Sequence, residues 1–272
     1  MASPMNGVPI GVFDSGVGGL SVLREIRKVL PGENLVYVAD SGFAPYGDRP
    51  GKFIQQRAQA IIEFFGTVGA KAIVVACNTA TAVAVQTLRS RFTFPIIAIE
   101  PAVKPAAEIT RSGVIGILAT TQTLASERFS SLVAEYGKGM QVLLQPCPGL
   151  VEQVEKAELD GPRTEALVAR YIRPLLERGA DTIVLGCTHF PFLSPMIGAV
   201  AGPGVSLVDP AASVARELQR RLEISKLLSP NSSPGTEHFW TSGAPNKVQP
   251  VVGKLWAKNV DVCSLPSTLT AL

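Results

Sequence analysis

The sequence has few of the features that mark membrane proteins, disordered proteins or secreted proteins. No apolar run approaches the roughly 20 residues that are needed to cross a bilayer. Charged residues make up only 17% of the 272 residues and hydrophobic residues make up 46%, which excludes a disordered chain. The amino terminus, MASPMNGVPIGVFDSG, has no basic region followed by an apolar stretch, so nothing marks it for export. We therefore expect a compact cytoplasmic protein with no membrane partner.

Cysteine, histidine and net charge are also scarce. The four cysteines form no C-x-x-C pair, which suggests neither a zinc site nor a disulfide framework. His189 and His238 are the only histidines and stand far apart in the chain, which argues against a metal site. The formal charge of +3, with only short basic clusters, leaves no nucleic-acid footprint. We therefore predict no metal, no cofactor and no nucleic-acid partner.

A duplicated strand end is the most informative feature that the sequence does contain. The stretch GAKAIVVACNT begins at Gly69, and the similar stretch GADTIVLGCTH begins at Gly179. In each, a Gly-Ala turn precedes a short β-branched run that leads into a cysteine, Cys77 or Cys187. The two cysteines thus occupy equivalent places in two related halves, and we interpret them as facing each other across one substrate.

Strand-like and helix-like segments alternate through the chain, which is typical of parallel sheets whose ligands bind outside the carboxyl ends of the strands. We therefore predict an α/β fold with two pseudo-symmetric parallel-sheet α/β domains and the active site in the cleft between them. Predicted strands cover residues 10–13, 34–39, 69–77, 95–100, 113–118, 140–145, 179–187 and 238–241. Predicted helices cover residues 20–30, 52–66, 80–91, 126–136, 162–178 and 212–225, with another running through Glu152 and a last helix and strand within 247–263.

The halves also close alike, each on an apolar run followed by Pro-Ala, at Pro101-Ala102 and at Pro210-Ala211. We place the domain crossings at these junctions. The first domain is predicted to contain residues 1–100 plus 210–272, and the second to contain residues 101–209. Because the tail of the chain is too small to form a domain, we expect it to pack back on the first half.

The glycine-rich turn Gly16-x-Gly18-Gly19 follows a predicted strand, as in a dinucleotide-binding motif. Ser21 stands where the third glycine of that motif is expected, and an acid opens the turn, where a pyrophosphate would be repelled. A tight strand-to-helix turn without a ligand is the simplest alternative. Binding of a carboxylate by Ser15 and by backbone N–H groups at the helix start fits the sequence better.

Both duplicated cysteines are followed by polar residues at the start of a new segment. Such positions lower a thiol pKa from about 8.5 toward neutrality, so that the thiol can serve as a general base or acid. His189 is a candidate partner for Cys187, and Asp14 is the matching candidate for Cys77. A Cys-His nucleophile of a thiol hydrolase is the competing interpretation, but it leaves Cys77 unexplained. The other two cysteines, Cys147 and Cys263, lack such partners and are assigned to packing.

Inverting a stereocentre through a planar carbanion requires two bases on opposite faces of the substrate. One base removes the α-proton and the other returns a proton from the far side, and a pseudo-symmetric pair of thiols supplies this geometry. The surrounding hydroxyls, amides and turn N–H groups suit a small zwitterion with carboxylates and an ammonium; they include Ser15, Ser41, Asn78, Thr79 and Thr188.

With these residues assembled, the chain resembles the glutamate racemase family of the cofactor-independent aspartate/glutamate racemase superfamily over nearly its whole length. The resemblance rests on GVFDSGVGGLSVLREI, YVADSGFAPYGDR, VVACNTATA, PIIAIEPAVKPA, LGCTHFPFL and, more weakly, HFWTSG. It implies interconversion of L- and D-glutamate for peptidoglycan synthesis, without a cofactor. It also implies two α/β domains that face each other across the site, and a homodimer.

The resemblance assigns roles to particular positions. It implies catalytic Cys77, acting on the D-isomer, and catalytic Cys187, acting on the L-isomer, with Asp14, Glu152 and His189 assisting. The implied substrate-binding residues are Asp14, Ser15, Asp40, Ser41, Pro45, Tyr46, Gly47, Asn78, Thr79, Thr120, Thr123, Thr188 and His189.

One departure from the family pattern lies in the turn Ala119-Thr120-Thr121-Gln122-Thr123, where Gln122 replaces a glycine and could alter the turn that presents Thr120 and Thr123. Two alternative functions stay open. A racemase for aspartate or another acidic amino acid would use the same motifs. A binding protein that inhibits DNA gyrase is the other, because some members of the family are reported to do so.

Overall fold

The computed structural model describes residues 7–230 and 233–270. Residues 1–6, which open the amino-terminal stretch in which we predict no export signal, lie outside the described residues. Residues 231–232, within the loop before the predicted strand 238–241, also lie outside them. Across the two described ranges, no helix combines the length and the apolar character that a membrane crossing requires.

The described residues form two parallel β-sheets. The first sheet has the strand order β10-β9-β2-β1-β3-β4 and the second has the order β6-β5-β7-β8. Each strand pair that the structure describes is parallel. The strands are β1 (Ile10–Asp14), β2 (Leu35–Ala39), β3 (Ala72–Val75), β4 (Ile96–Ala98), β5 (Val114–Ala119), β6 (Gln141–Pro146), β7 (Thr182–Leu185), β8 (Ser206–Val208), β9 (Glu237–Thr241) and β10 (Val262–Ser264).

The two sheets share one topology. The four strands β2-β1-β3-β4 of the first sheet correspond in order to β6-β5-β7-β8 of the second, so each half is wound second-first-third-fourth. This confirms the predicted α/β class with two pseudo-symmetric parallel sheets. The tail strands β9 and β10 extend the first sheet beside β2, on the half where we expected the tail to pack. The exact domain boundaries stay a prediction.

The central strands are buried on both faces, which explains why they are continuous apolar runs in the sequence. Val12 and Val74 point into a large core that also contains residues of the second half. Phe13 and Val75, their chain neighbours, point to the opposite face, into a second core beneath the helices of the first half. A third, smaller core lies on the outer face of the second sheet. The large core therefore joins the two halves.

Helices connect the strands and cover the sheets. They are α1 (Leu20–Val29), α2 (Gly51–Thr67), α3 (Asn78–Arg91), α4 (Val103–Ile109), α5 (Thr121–Leu124), α6 (Glu127–Tyr136), α7 (Leu150–Glu155), α8 (Pro162–Glu177), α9 (Ser194–Ala201), α10 (Ala211–Ile224), α11 (Pro245–Trp256) and α12 (Ser267–Thr270). The short helices α4, α5, α9 and α12 were not predicted from the sequence. In α9 the residues SPMIGAVA are apolar on nearly every side, so they carry no helical periodicity.

Candidate active site

The two duplicated thiols lie at equivalent places in the two halves. Cys77 follows the third strand of the first half, β3, and Cys187 follows the third strand of the second half, β7. Both side chains are buried, with 4% and 7% of their surface exposed. Cys187 is near enough to Cys77 for its ionisation to raise the pKa of Cys77. The carboxyl ends of two related strands thus bring the thiols to one buried region.

Cys77 caps the helix that follows it. Its sulfur accepts the Ala80 N–H at 3.4 Å, and its thiol donates to Ser15 Oγ at 3.6 Å. Burial raises the pKa of Cys77 to about 12, with a further contribution from the Asp14 carboxylate, and these two hydrogen bonds do not offset that rise. The prediction that the site lowers the pKa of this thiol toward neutrality is therefore wrong, because its buried, anionic surroundings outweigh the helix start.

Cys187 has a histidine partner instead. His189 Nδ1 lies 3.7 Å from Cys187 Sγ, and His189 Nε2 lies 2.6 Å from Glu155 Oε1. Although burial lowers the pKa of His189, its hydrogen bonds to Cys187 and Glu155 outweigh burial and raise the pKa well above its usual value. The protonated imidazole places a positive charge beside Cys187, whereas the Asp14 carboxylate lies near Cys77, so the surroundings of the two thiols differ in charge.

The glycine-rich turn after β1 packs directly against the second half. A Cβ added at Gly18 would collide with the His189 ring, and one added at Gly16 would collide with the Glu155 carboxylate. Val17 donates its backbone N–H to Glu155 Oε1 at 2.7 Å. The glycines therefore permit close approach of the two halves, and the Val17 N–H, one of the turn donors predicted to bind a carboxylate, binds that of Glu155.

Asp14 also contacts the second half. Thr188 donates its hydroxyl to Asp14 Oδ1 at 3.1 Å, and Ser21 donates its hydroxyl to the Thr188 carbonyl at 2.9 Å. Burial, and to a lesser extent Glu155, raises the pKa of Asp14, while His189 acts in the opposite direction. The structure thus brings Asp14, Thr188 and His189 together.

Several buried polar groups of the predicted site lack a partner within the described chain. Both side-chain polar atoms of Asn78, the hydroxyl of Ser41 and Oε2 of Glu152 have no hydrogen-bond partner there. Buried polar groups without partners are costly and rare in folded proteins, so such groups point to a polar ligand. Asn78 directly follows Cys77, which places its unmet hydrogen bonds beside that thiol.

Three hydroxyls join the halves near Cys77. Thr79 Oγ1 lies 2.9 Å from Thr120 Oγ1 and 3.2 Å from Thr123 Oγ1, and the latter two lie 2.9 Å apart. Thr120 caps α5 by accepting the Thr123 N–H at 3.2 Å. Gln122 lies within this right-handed helical turn, where any residue is tolerated, so its side chain does not disturb the turn.

The segment after β2 forms a loop over residues 41–47, which we call the site loop. Asp40, just before it, accepts hydrogen bonds from Arg57 on both carboxylate oxygens and from the Tyr46 hydroxyl. Pro45 follows a cis peptide bond, and a Cβ on Gly47 would lie 3.0 Å from Thr120 Cβ. The Asp40 carboxylate is thus hydrogen-bonded to side chains of the protein. The site loop contacts the second half through Gly47.

Glu155 belongs to the site but was not predicted from the sequence. The predicted helix ran through Glu152, and the observed helix α7 continues to Glu155, one turn further. Residues three apart lie on neighbouring parts of one helix face, so either glutamate could have met His189. The two glutamates three residues apart could be recognised in the sequence. Only the packing of α7 against the glycine-rich turn selects Glu155 as the partner of His189.

The remaining titratable groups suggest no metal centre. Among residues 7–230 and 233–270, no group of three or more His, Cys, Asp or Glu side chains is arranged to hold a metal ion. His238 lies on β9, with its Nε2 3.3 Å from Thr236 Oγ1. Cys147 is buried, its thiol donating to the Gln145 carbonyl at 3.2 Å.

The two parallel sheets share the order of their four corresponding strands, and in each half a buried thiol follows the third strand. These features define a class of duplicated α/β proteins with a paired-thiol site. The Asp/Glu/hydantoin racemase family model matches residues 10–218, and the chain belongs to this family.

Individual relatives agree with the family. A glutamate racemase from Methylococcus capsulatus is 53% identical over 263 residues, which cover 97% of this chain and 97% of that protein. The crystal structure of a glutamate racemase from Bacillus anthracis has a TM-score of 0.86 at 31% identity, covering 95% of this chain and 97% of that one. The Escherichia coli glutamate racemase, solved with L-glutamate and the activator UDP-MurNAc-Ala, has a TM-score of 0.82 at 32% identity, covering 95% and 98%.

Proposed function

We propose that this protein is a glutamate racemase that interconverts L- and D-glutamate, with Cys77 and Cys187 as its two bases. The observation that carries the proposal is the equivalent placement of two buried thiols after β3 and β7. A relative that is named glutamate racemase supports the proposal, because it is 53% identical to this chain over almost its full length. The related Escherichia coli enzyme was solved with L-glutamate.

In the proposed reaction one thiolate removes the α-proton of glutamate and a carbanion forms. The opposite thiol then donates its proton to the other face of the α-carbon, so each turnover exchanges the protonation states of Cys77 and Cys187. The raised pKa of Cys77, about 12, suits a proton donor. The protonated His189 lies beside Cys187, with 3.7 Å between His189 Nδ1 and Cys187 Sγ. We assign Cys187 as the base for L-glutamate and Cys77 as the base for D-glutamate, as the family resemblance implies.

The ammonium of a bound amino acid would alter the balance at Cys77. A positive charge within about 4–6 Å of a thiol favours the thiolate. The Asp14 carboxylate, which raises the pKa of Cys77, is the natural partner for that ammonium. Substrate binding would therefore offset the contribution of Asp14 to the raised pKa of Cys77, while burial, the larger cause, would remain.

The proposed substrate contacts follow from the site geometry. Asn78 and Ser41 have unmet buried hydrogen bonds and are assigned to the substrate carboxylates. Glu155 and His189 assist Cys187, and Asp14 assists Cys77. Further contacts are assigned to Ser15, Pro45, Tyr46, Gly47, Thr79, Thr120, Thr123 and Thr188.

The cellular setting belongs to the same proposal. D-glutamate would be supplied for peptidoglycan synthesis in the cytoplasm by a homodimer, with neither a membrane nor a nucleic acid as partner. Light scattering on the purified protein tests the dimer. A supercoiling assay with DNA gyrase tests the binding alternative, and inhibition by a variant with both thiols replaced would support it.

The decisive experiment follows the circular dichroism of purified protein with L-glutamate, without an added cofactor, and then with D-glutamate. We expect both signals to decay to zero, the signature of a racemic mixture. Turnover of aspartate but not glutamate would favour the rival racemase. Unchanged signals from all of these amino acids would refute the proposal.

A further inference from the structure

Arg57 is a completely buried cation in α2. It has no exposed side-chain surface, and neither does the Asp40 carboxylate that it faces. Arg57 Nη2 lies 2.6 Å from Asp40 Oδ1, and Arg57 Nε lies 3.0 Å from Asp40 Oδ2. This is the bidentate arrangement of a planar guanidinium on a carboxylate, which a lysine cannot reproduce. A buried ion pair is tolerated only when both charges keep their partners, so the geometry around Arg57 is fixed.

Two side chains of the site loop converge on this pair. The Phe43 ring centre lies 4.0 Å from the guanidinium carbon of Arg57, within cation–π range. The Tyr46 hydroxyl donates to Asp40 Oδ2. Burial and the Asp40 carboxylate raise the pKa of Tyr46 well above its usual value, so this hydroxyl stays a donor. Phe43 and Tyr46 are thereby both anchored to one buried charge pair.

The anchored site loop is one of the parts of the first half that contact the second half. Gly47 follows Tyr46 directly and lies against Thr120. Ser41, at the other end of the loop, carries a buried hydroxyl without a partner in the described chain. By anchoring the site loop, the ion pair therefore fixes the positions of the unpaired Ser41 hydroxyl and of the Gly47–Thr120 contact between the halves.

The remaining side of the guanidinium faces the end of the described chain. Arg57 Nη1 donates to the Leu269 carbonyl at 2.6 Å, a contact between residues 212 positions apart. Leu269 belongs to α12, and its side chain packs on the core beneath α2 and α3. Without this turn, a buried N–H donor would lose its acceptor, which is costly in a protein interior.

We infer that Arg57 is a positioning residue for the site loop, and that the turn Ser267–Thr270 completes the set of acceptors around its guanidinium. Substrate binding thus depends on a segment that does not itself carry any of the proposed substrate contacts. The consequence for kinetics rests on the proposed glutamate racemase function. The consequence for the order of the site loop does not.

Two alterations break the network from opposite sides. Arg57→Lys keeps the positive charge but cannot form both hydrogen bonds to the Asp40 carboxylate. A chain ending at Pro266 lacks the Leu269 carbonyl. For each we expect KM for L-glutamate to rise about tenfold and kcat to change less than about threefold, because hydrogen bonds that order the loop are lost while the thiols stay in place. A chain ending at Thr270 retains the carbonyl and is the matched control, with an expected KM equal to that of the full chain.

A combined variant separates one network from two independent defects. If Arg57→Lys and the truncation at Pro266 act through the same contact, their combination raises KM no further than either alone. A multiplied rise in KM overturns the inference, as does an unchanged KM in both single variants. If Arg57→Lys does not fold, the two truncations decide the matter alone.

Hydrogen–deuterium exchange tests the same inference without using activity. Peptides covering residues 41–47 should exchange about tenfold faster in the chain ending at Pro266 than in the chain ending at Thr270. Peptides from Val103–Ile109, in the second half, should exchange equally in both. Equal exchange of the site loop would overturn the inference, whereas a lack of racemase activity in the unaltered protein would refute only the proposed function.

Discussion

Thr188 donates its hydroxyl to the carboxylate of Asp14, with 3.1 Å between Thr188 Oγ1 and Asp14 Oδ1. The residue next to one thiol thereby binds the acid proposed to assist the other thiol. The same threonine accepts the Ser21 hydroxyl on its carbonyl. Because each half donates a hydrogen bond to a residue of the other half's site, we expect a substitution near one thiol to change the activity of both.

The thiols themselves provide the most direct prediction. In deuterated water, Cys77→Ser should lose exchange of the α-proton mainly from D-glutamate, and Cys187→Ser should lose it mainly from L-glutamate. A serine hydroxyl is a far weaker base than a thiolate, so each variant disables removal of a proton from one face. Mass spectrometry of each recovered enantiomer measures the exchange. Equal residual exchange from both enantiomers in both variants would contradict a two-base mechanism.

Glu155→Gln should lower the pKa of His189. The hydrogen bonds to Cys187 and Glu155 hold the pKa of His189 above its usual value, and an amide removes one of the two negative partners. A lower pKa means that the imidazole loses its proton at a lower pH, so the high-pH limb of kcat with L-glutamate should move toward lower pH.

The histidine titration can be followed by NMR, because His238 is the only other histidine in the sequence. His238→Asn identifies the two signals and serves as the control, since His238 lies on β9 away from the thiols. An unmoved His189 titration in Glu155→Gln would show that Glu155 does not govern this imidazole.

Gly18→Ala should separate the glycine-rich turn from the second half. A Cβ at Gly18 would collide with the His189 ring, so the turn or the imidazole must shift, and we expect kcat/KM to fall by about 100-fold. Gly66→Ala is the matched control, because no atom lies within 4 Å of its added Cβ. We expect it to raise the free energy of unfolding by about 0.5–1 kcal/mol, since alanine is more stable than glycine within a helix. Steady-state kinetics and urea unfolding measure both. Full activity of Gly18→Ala would contradict the close contact.

Asn78→Ala should weaken activity without weakening the fold. Neither polar atom of the Asn78 side chain has a hydrogen-bond partner within the described chain, so its removal leaves no protein group unpaired. We expect the free energy of unfolding to change by less than about 1 kcal/mol, while kcat/KM falls about 100-fold. The exposed Gln86→Ala on the same helix is the control for both measurements. A large loss of stability with normal kinetics would assign Asn78 to the fold.

The fold could be predicted from the sequence wherever the periodicity was strong. The apolar runs before Cys77 and Cys187 are strands β3 and β7, and the amphipathic stretch 20–30 is α1. Short helices without periodicity, such as α9, were not predictable from the pattern. Glu155 was missed for a related reason, because two glutamates three residues apart are equivalent on an isolated helix.

The pKa of the first thiol was also beyond the sequence. The polar residues after Cys77 predicted a lowered pKa, but burial and Asp14 raise it to about 12. Likewise, the sequence placed Asp40 among substrate contacts, whereas its carboxylate is bonded to Arg57, whose position is 17 residues further along the chain. Desolvation and the choice of partner depend on which atoms surround a group in space, and spacing along the chain does not report this.

By itself the sequence determined the duplication, the parallel α/β class and the equivalent positions of Cys77 and Cys187 in the two halves, because these follow from local periodicity and from repeated motifs. Only the tertiary structure decided which groups surround each thiol. It buries Cys77 beside Asp14, and it places His189 between Cys187 and Glu155. The physical reason is that a charge and its hydrogen bonds act through space, so their effect is set when the two halves pack together.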